Sequence, residues 1–126
     1  MSILVGQKAP LFSSQAVLAN GDIVDDYDFE QAIKNKYAVL FFYPLDFTFV
    51  CPSEILAMAK RTEALNSLGC EVVGVSVDSH FTHNAWRNTP VNEGGIGNVP
   101  FTLVADMSRG ISESYGILAQ SPDSYY

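Results

Sequence analysis

Residues 37–54 read YAVLFFYPLDFTFVCPSE. The first seven are continuously apolar and rich in aromatics, which suits a strand buried on both faces of a parallel sheet. From Pro52 to about Leu68 the residues Ile55, Leu56, Met58, Ala59, Leu65 and Leu68 recur at helical spacing, and Gly69 stands where a helix C-cap belongs. A strand that passes through a short loop into a helix is the unit of an α/β sheet, and the rest of the chain can be placed around it.

Downstream, EVVGVSV (71–77) and FTLVA (101–105) are two further buried strands. Asp78 or Ser79 can cap a helix carrying Phe81, Ala85 and Trp86, while Asp106 or Ser108 can cap a last short helix through Tyr115 that Gly116 ends. NEGGIGNVP (92–100) is a glycine-rich loop. Upstream, QAVLANGDIV places Asn20-Gly21 between two short runs, predicting a hairpin over 15–27 with a type I′ turn, in which both central residues take positive φ. Asp28 with Gln31 three residues on predicts an N-cap for a helix over 29–35. A hairpin followed by β-α-β-α-β-α implies right-handed crossovers and a mainly parallel sheet.

Composition bounds the function. A chain of 126 residues with 48% hydrophobic and 12% aromatic content is expected to form one globular domain over 1–126. Its 14 acidic and 7 basic residues give a net charge of -7 with no basic stripe, which argues against nucleic acid as a partner. MSILVGQKAP at the start lacks the features of a secretory signal, and the apolar run 37–43 is far too short to cross a bilayer, so no membrane is expected. Two cysteines make no disulfide framework, and the expectation is a soluble cytoplasmic protein with reduced thiols.

The loop PLDFTFV leaves the carboxyl end of a strand, where open α/β sheets bind ligands. Pro52 is tolerated in a first helical turn, which puts Cys51 at or near an N-cap. Unpaired N–H groups and the positive end of the helix dipole there favour the thiolate and lower the thiol pKa from about 8.5. Thr48 can offer a hydroxyl to the thiolate or to a substrate, and Pro44 can keep water from the pocket. On residues alone, a cysteine among Phe47, Phe49 and Val50 is equally readable as a small buried hydrophobe.

FFYPLDFTFVCPSE resembles the peroxidatic-cysteine motif of the typical two-cysteine peroxiredoxins, the alkyl hydroperoxide reductase and thiol-specific antioxidant family. Pro44, Thr48 and Cys51 meet its P-x-x-x-T-x-x-C spacing. GQKAP near the start, SVDSHFTHNAWRNTP (76–90), GGIG (94–97) and LVAD (103–106) are similar to the same branch. The resemblance implies a thioredoxin-like α/β fold and a thiol peroxidase that reduces hydrogen peroxide and alkyl hydroperoxides without metal or organic cofactor. Cys51 would become a sulfenic acid that a second thiol resolves to a disulfide. Thr48 would position the peroxide, Pro44 shield the sulfenic acid, and Glu54 orient an arginine. It also implies a thiol reductant, such as a thioredoxin-like protein or flavoprotein disulfide reductase, and a homo-oligomer, either a dimer or a ring of dimers.

In the family that arginine and the resolving cysteine lie beyond residue 126, as do a further antiparallel strand pair and a last helix. The expectation is therefore a C-terminally incomplete thioredoxin-like domain with weak or no turnover. The rival reading is a non-enzymatic interaction or chaperone-like module using an exposed sheet edge. Arg61 sits about 15 Å along the helix from Cys51, and Arg87 and Arg109 are the other arginines weighed as substitutes. Cys70 lies past the far end of that helix, ~25 Å away, whereas bridged Cα atoms lie within about 7 Å, so Cys70 reads as structural.

The spacing of His80, His83, Cys51 and Cys70 lacks the close cysteine pair of a zinc site. The two histidines read as partly exposed helix residues rather than general bases, and Trp86 and Phe81 as core. EGGIG lacks the lysine of a phosphate loop, and Glu54 stands where a C-x-x-C redox motif needs its second cysteine.

Overall fold

A computed structural model of the chain describes residues 4–47 and 51–118, with Cys51 and Pro52 described in their backbone alone. The hairpin forms from β1 (Ser13–Val17) and β2 (Ile23–Asp28), paired antiparallel. Its turn differs from the type I′ expectation, because of the Asn20-Gly21 pair only Gly21 has a positive φ, +96°. Gly21 N donates to Leu18 O at 2.9 Å and Leu18 N to Asp22 O at 2.8 Å, so Ala19, Asn20 and Gly21 make a three-residue loop closed by a left-handed glycine. Asp28 then caps α1 (Phe29–Ala32), its carboxylate accepting from the N–H groups of Glu30 and Gln31. That helix stops short of residue 35, where Asn35 takes a φ of +61°.

β3 (Tyr37–Phe42), α2 (Cys51–Ser67), β4 (Cys70–Ser76), α3 (His80–Arg87), β5 (Thr102–Ala105) and α4 (Gly110–Ser114) follow in the predicted alternation. The sheet order is β2-β1-β5-β4-β3, with β3, β4 and β5 parallel and the hairpin joined antiparallel through β1 to β5. Gly69, with φ +76°, ends α2 as the sequence predicts, but Leu68 beside it is 76% exposed instead of completing the apolar stripe.

The sheet separates two apolar clusters. Ile55 of α2 and Trp86 of α3 pack with Val72, Phe101 and Leu103 on one face. Phe29 of α1 and Ile111 of α4 pack with Ala16, Val73, Val75 and Val104 on the other. β4 and β5 are buried on both faces, as parallel central strands should be. β3 is not. Among the described residues it is an edge strand, with Tyr37 80% exposed and Val39 to Phe42 only half-buried, because no strand pairs with its outer side.

Candidate active site

The parallel ladder continues one residue past β3, Tyr43 N donating to Val75 O at 3.0 Å, and this fixes where the chain leaves the sheet. Pro44, half-buried, follows at the carboxyl end, the position where α/β sheets place their sites. The loop is tied to the connection after β4, to α3 and, through His83, to β5. Tyr43 Oη donates to Asp46 Oδ1 at 2.8 Å, and His83 Nδ1 lies 2.6 Å from Asp46 Oδ2. His83 Nε2 lies 3.0 Å from Val104 O, and Asp46 N donates to Asp78 Oδ2 at 2.6 Å.

The proton inventory of this cluster follows from its acceptors. A carbonyl oxygen can only accept, so His83 Nε2 carries a hydrogen. The opposite ring nitrogen faces a carboxylate oxygen at hydrogen-bond distance, which requires one proton between them, whether drawn as imidazolium with carboxylate or imidazole with carboxylic acid. Either way Asp46 and His83 form a net-neutral pair, and that is how a histidine at 0% and an aspartate at 6% exposure are tolerated in the core. Burial, and next the Asp46 carboxylate, hold the Tyr43 hydroxyl well above its ordinary value of 10.0, so it stays a donor. Burial also raises the Asp78 carboxyl, against the pull of the Asp46 N–H that it accepts.

One residue after Asp46, Phe47 takes a φ of +58°, a left-handed conformation that few side chains other than glycine adopt. Its ring stays half-exposed, packed at 5.9 Å between centroids against Trp86. α2 begins at Cys51, which places that residue at the positive end of a 17-residue helix. The Cys51 side chain and the whole of Thr48 lie outside the described residues. Glu54 is exposed on the first turn of α2. A cleft of about 190 Å³ opens beside Pro44, walled by Phe42, Val77, Ser112 and Ile117.

The other sequence candidates fall elsewhere. Cys70 begins β4 at the opposite end of α2, half-buried and unbonded to another cysteine. Arg61 is exposed along α2. Arg87 is buried and donates to the carbonyls of Ala19 and Val99, so it clamps the hairpin loop, and β1 reaches that loop beside the amino end of β5, at the far edge of the sheet from Pro44. Arg109 adjoins the start of α4, half-buried, with φ +66°.

Both histidines overturn the expectation of partial exposure: His80 is 4% exposed, with Nε2 3.7 Å from Asp25, and His83 is fully buried. Phe81, expected in the core, is 67% exposed. Five residues separate it from Trp86, about 140° around a helix, so the two cannot share a face. The same geometry was the available signal for His83: three residues before Trp86, it lies on the buried side once Trp86 does. Asp46 carried no such signal. No group of histidine, cysteine and acidic side chains among the described residues is arranged to hold a metal ion. No described helix is long and apolar enough to cross a membrane.

A family model described as the AhpC/TSA family matches residues 5–125. Peroxiredoxin-2 of Pongo abelii is 54% identical over 117 residues, covering 90% of this chain and 63% of that protein. The mitochondrial thioredoxin-dependent peroxide reductase of Mus musculus is 50% identical over 121 residues, covering 93% of this chain and 44% of that one. Among solved structures, the reduced 2-Cys peroxiredoxin of Plasmodium vivax superimposes with a TM-score of 0.88 at 44% identity, over 94% of this chain and 61% of its own. The expected thioredoxin-like α/β fold is therefore the observed one. The chain spans less than two thirds of each of these relatives.

Proposed function

Because this chain belongs to the AhpC/TSA family, as a 2-Cys peroxiredoxin, we propose that Cys51 is the nucleophile of a thiol peroxidase acting on hydrogen peroxide and alkyl hydroperoxides. The observation that carries this reading is the start of the 17-residue helix α2 at Cys51, on the loop leaving the carboxyl end of β3. The Cys51 thiolate attacks one peroxide oxygen and the O–O bond breaks. The leaving alkoxide or hydroxide takes up a proton as alcohol or water, and the cysteine is left as sulfenic acid. A second thiol then attacks that sulfur, releasing water and leaving a disulfide that an external thiol reductant returns to two thiols.

In this reading Pro44 and the cleft beside it limit water around the sulfenic acid, Thr48 positions the peroxide, and Glu54 orients a cationic partner. The resolving thiol is not Cys70, which α2 holds ~25 Å from Cys51. The reductant is a thioredoxin-like or flavoprotein disulfide reductase, and the chain assembles with copies of itself. Treating the protein with peroxide and labelling it with a sulfenic-acid probe tests the central step. The expected label is on Cys51; a free Cys51 thiol, with Cys70 or nothing reacting, refutes it.

A second reading is favoured by one observation. Among the described residues β3 is an apolar edge strand with no lysine, proline or acidic residue to discourage pairing, so a partner or a second copy can add a strand there. A chain that sediments as a monomer at every concentration, and melts in one cooperative step, would sink the interaction-module reading.

A further inference from the structure

The SVDS segment that leaves β4 contains an acid that the peroxidase reading leaves without a task. Asp78 does not cap α3. Ser79 does, its hydroxyl accepting from Thr82 N at 3.1 Å. The Asp78 carboxylate reaches instead across to the preceding connection and accepts the backbone N–H of Asp46 at 2.6 Å, a bond spanning 32 residues. Asp78 is itself fixed: its N–H donates to Ser76 Oγ at 3.3 Å, and the Ser76 carbonyl accepts from Asp106 N at 2.7 Å.

Asp46 is thus held twice, by its side chain in the buried pair with His83 and by its main chain at Asp78. A side chain alone leaves the peptide plane free to rotate. The carboxylate of Asp78 removes that freedom at the residue immediately before Phe47, whose left-handed φ of +58° persists only where its surroundings impose it. Cys51, the first residue of α2, follows four residues after Phe47 in the sequence.

We propose that Asp78 is a positioning residue for Cys51: by fixing the Asp46 peptide and the Phe47 turn after it, its carboxylate sets the approach of the helix that carries the nucleophile. The proposal rests on the reading of Cys51 given above, and the experiment separates the two. Asp78→Ala removes the acceptor, whereas Asp78→Asn keeps an oxygen that can accept the same N–H without charge.

Three rates are compared in the 126-residue chain: amide exchange at Asp46 by NMR, Cys51 oxidation by hydrogen peroxide, and Cys51 alkylation by iodoacetamide, with Cys70 alkylation reporting an intact fold. Asp78→Ala is expected to speed Asp46 exchange and to slow Cys51 oxidation by about tenfold each, the loss of one charge-assisted hydrogen bond. Alkylation, which requires no aligned O–O bond, stays within about threefold, and Asp78→Asn stays within about threefold of the parent in all three rates.

Unchanged Asp46 exchange in Asp78→Ala overturns the proposal, as does faster exchange with unaltered oxidation, or equal slowing in Asp78→Asn. If the parent's Cys51 does not oxidise at all, the nucleophile reading falls. The Asp46 exchange rates then still decide whether Asp78 holds the loop.

Discussion

Replacing His83 by leucine should be among the most damaging single changes in this protein, and a second substitution should partly reverse it. In the parent, the Asp46–His83 pair is net neutral and both members are almost wholly buried. His83→Leu leaves the Asp46 carboxylate in the core with, among the described residues, the Tyr43 hydroxyl as donor to its side chain, and removes the N–H that the Val104 carbonyl accepts from His83. Breaking a buried pair from one side costs about 3–5 kcal/mol. With a urea dependence of about 2 kcal/mol per molar, the unfolding midpoint should fall by roughly 1.5–2.5 M.

Asp46→Asn alone should cost less than about 1.5 kcal/mol, since every bond has a neutral equivalent: the amide oxygen accepts from Tyr43, the amide N–H donates to His83 Nδ1, and Nε2 keeps Val104. In the His83→Leu background the same Asp46→Asn change removes a stranded charge, so there it should stabilise, by about 2 kcal/mol. Urea denaturation of the four proteins reads this reversal of sign. The reasoning fails if His83→Leu lies within about 1 kcal/mol of the parent, or if Asp46→Asn lowers stability further in the leucine background.

Three further outcomes follow from single contacts. Burial raises the Asp78 carboxyl, so the folded chain holds that proton more tightly than the unfolded one; its contribution is complete below about pH 3.9 and is lost as pH rises through the folded value. Urea midpoints from about pH 3.5 to 7 should therefore show Asp78→Asn gaining on the parent across that window and then running parallel to it. Gly95→Ala sets a methyl 1.9 Å from the Thr89 carbonyl oxygen, a backbone atom that cannot step aside, and should cost about 3 kcal/mol in the same assay. Lys36→Ala, which breaks a half-exposed ion pair with Glu71 at 3.2 Å, should cost less than about 1 kcal/mol, and that loss should shrink further in added salt.

Local rules carried the sequence reading far. The caps at Asp28 and Ser79, the left-handed Gly69 and Gly116, and the order of strands and helices depend on neighbours within a few residues, which is the range at which sequence speaks directly. Asp106, one of two caps expected for α4, uses both oxygens on Ile111 N and Ser112 N. The expectations that failed depend on long-range placement. An unbroken apolar run does not reveal how many neighbours pair with it, and among the described residues β3 has one. Asp46, Asp78 and His83 come together only because the chain leaves β3 and β4 at the same end of the sheet, and no spacing within either connection announces it. The start of α2 at Cys51 was legible because a helix start rests on neighbouring residues, whereas the groups that hold the loop before it sit on other elements.

The two sheet edges among the described residues also bear on how the functional readings relate. β2 carries Asp25, Asp26 and Asp28, and self-pairing there would set acid against acid. β3 carries no charge, and Val39 to Phe42 are half-buried between the two apolar clusters on either face while Tyr37 and Ala38 are exposed. The chain that leaves β3 is the loop of Tyr43, Pro44 and Asp46, and Phe42 at the strand's end is a wall of the cleft beside Pro44. A strand added along β3 would therefore cover part of that cleft as well as the edge, so the peroxidase and interaction readings describe neighbouring parts of one surface. If copies of this chain pair there, the rate of Cys51 oxidation per chain should change with protein concentration over the range in which sedimentation shows association. A rate that stays constant while the oligomer forms would mean that the pairing surface and the site are independent.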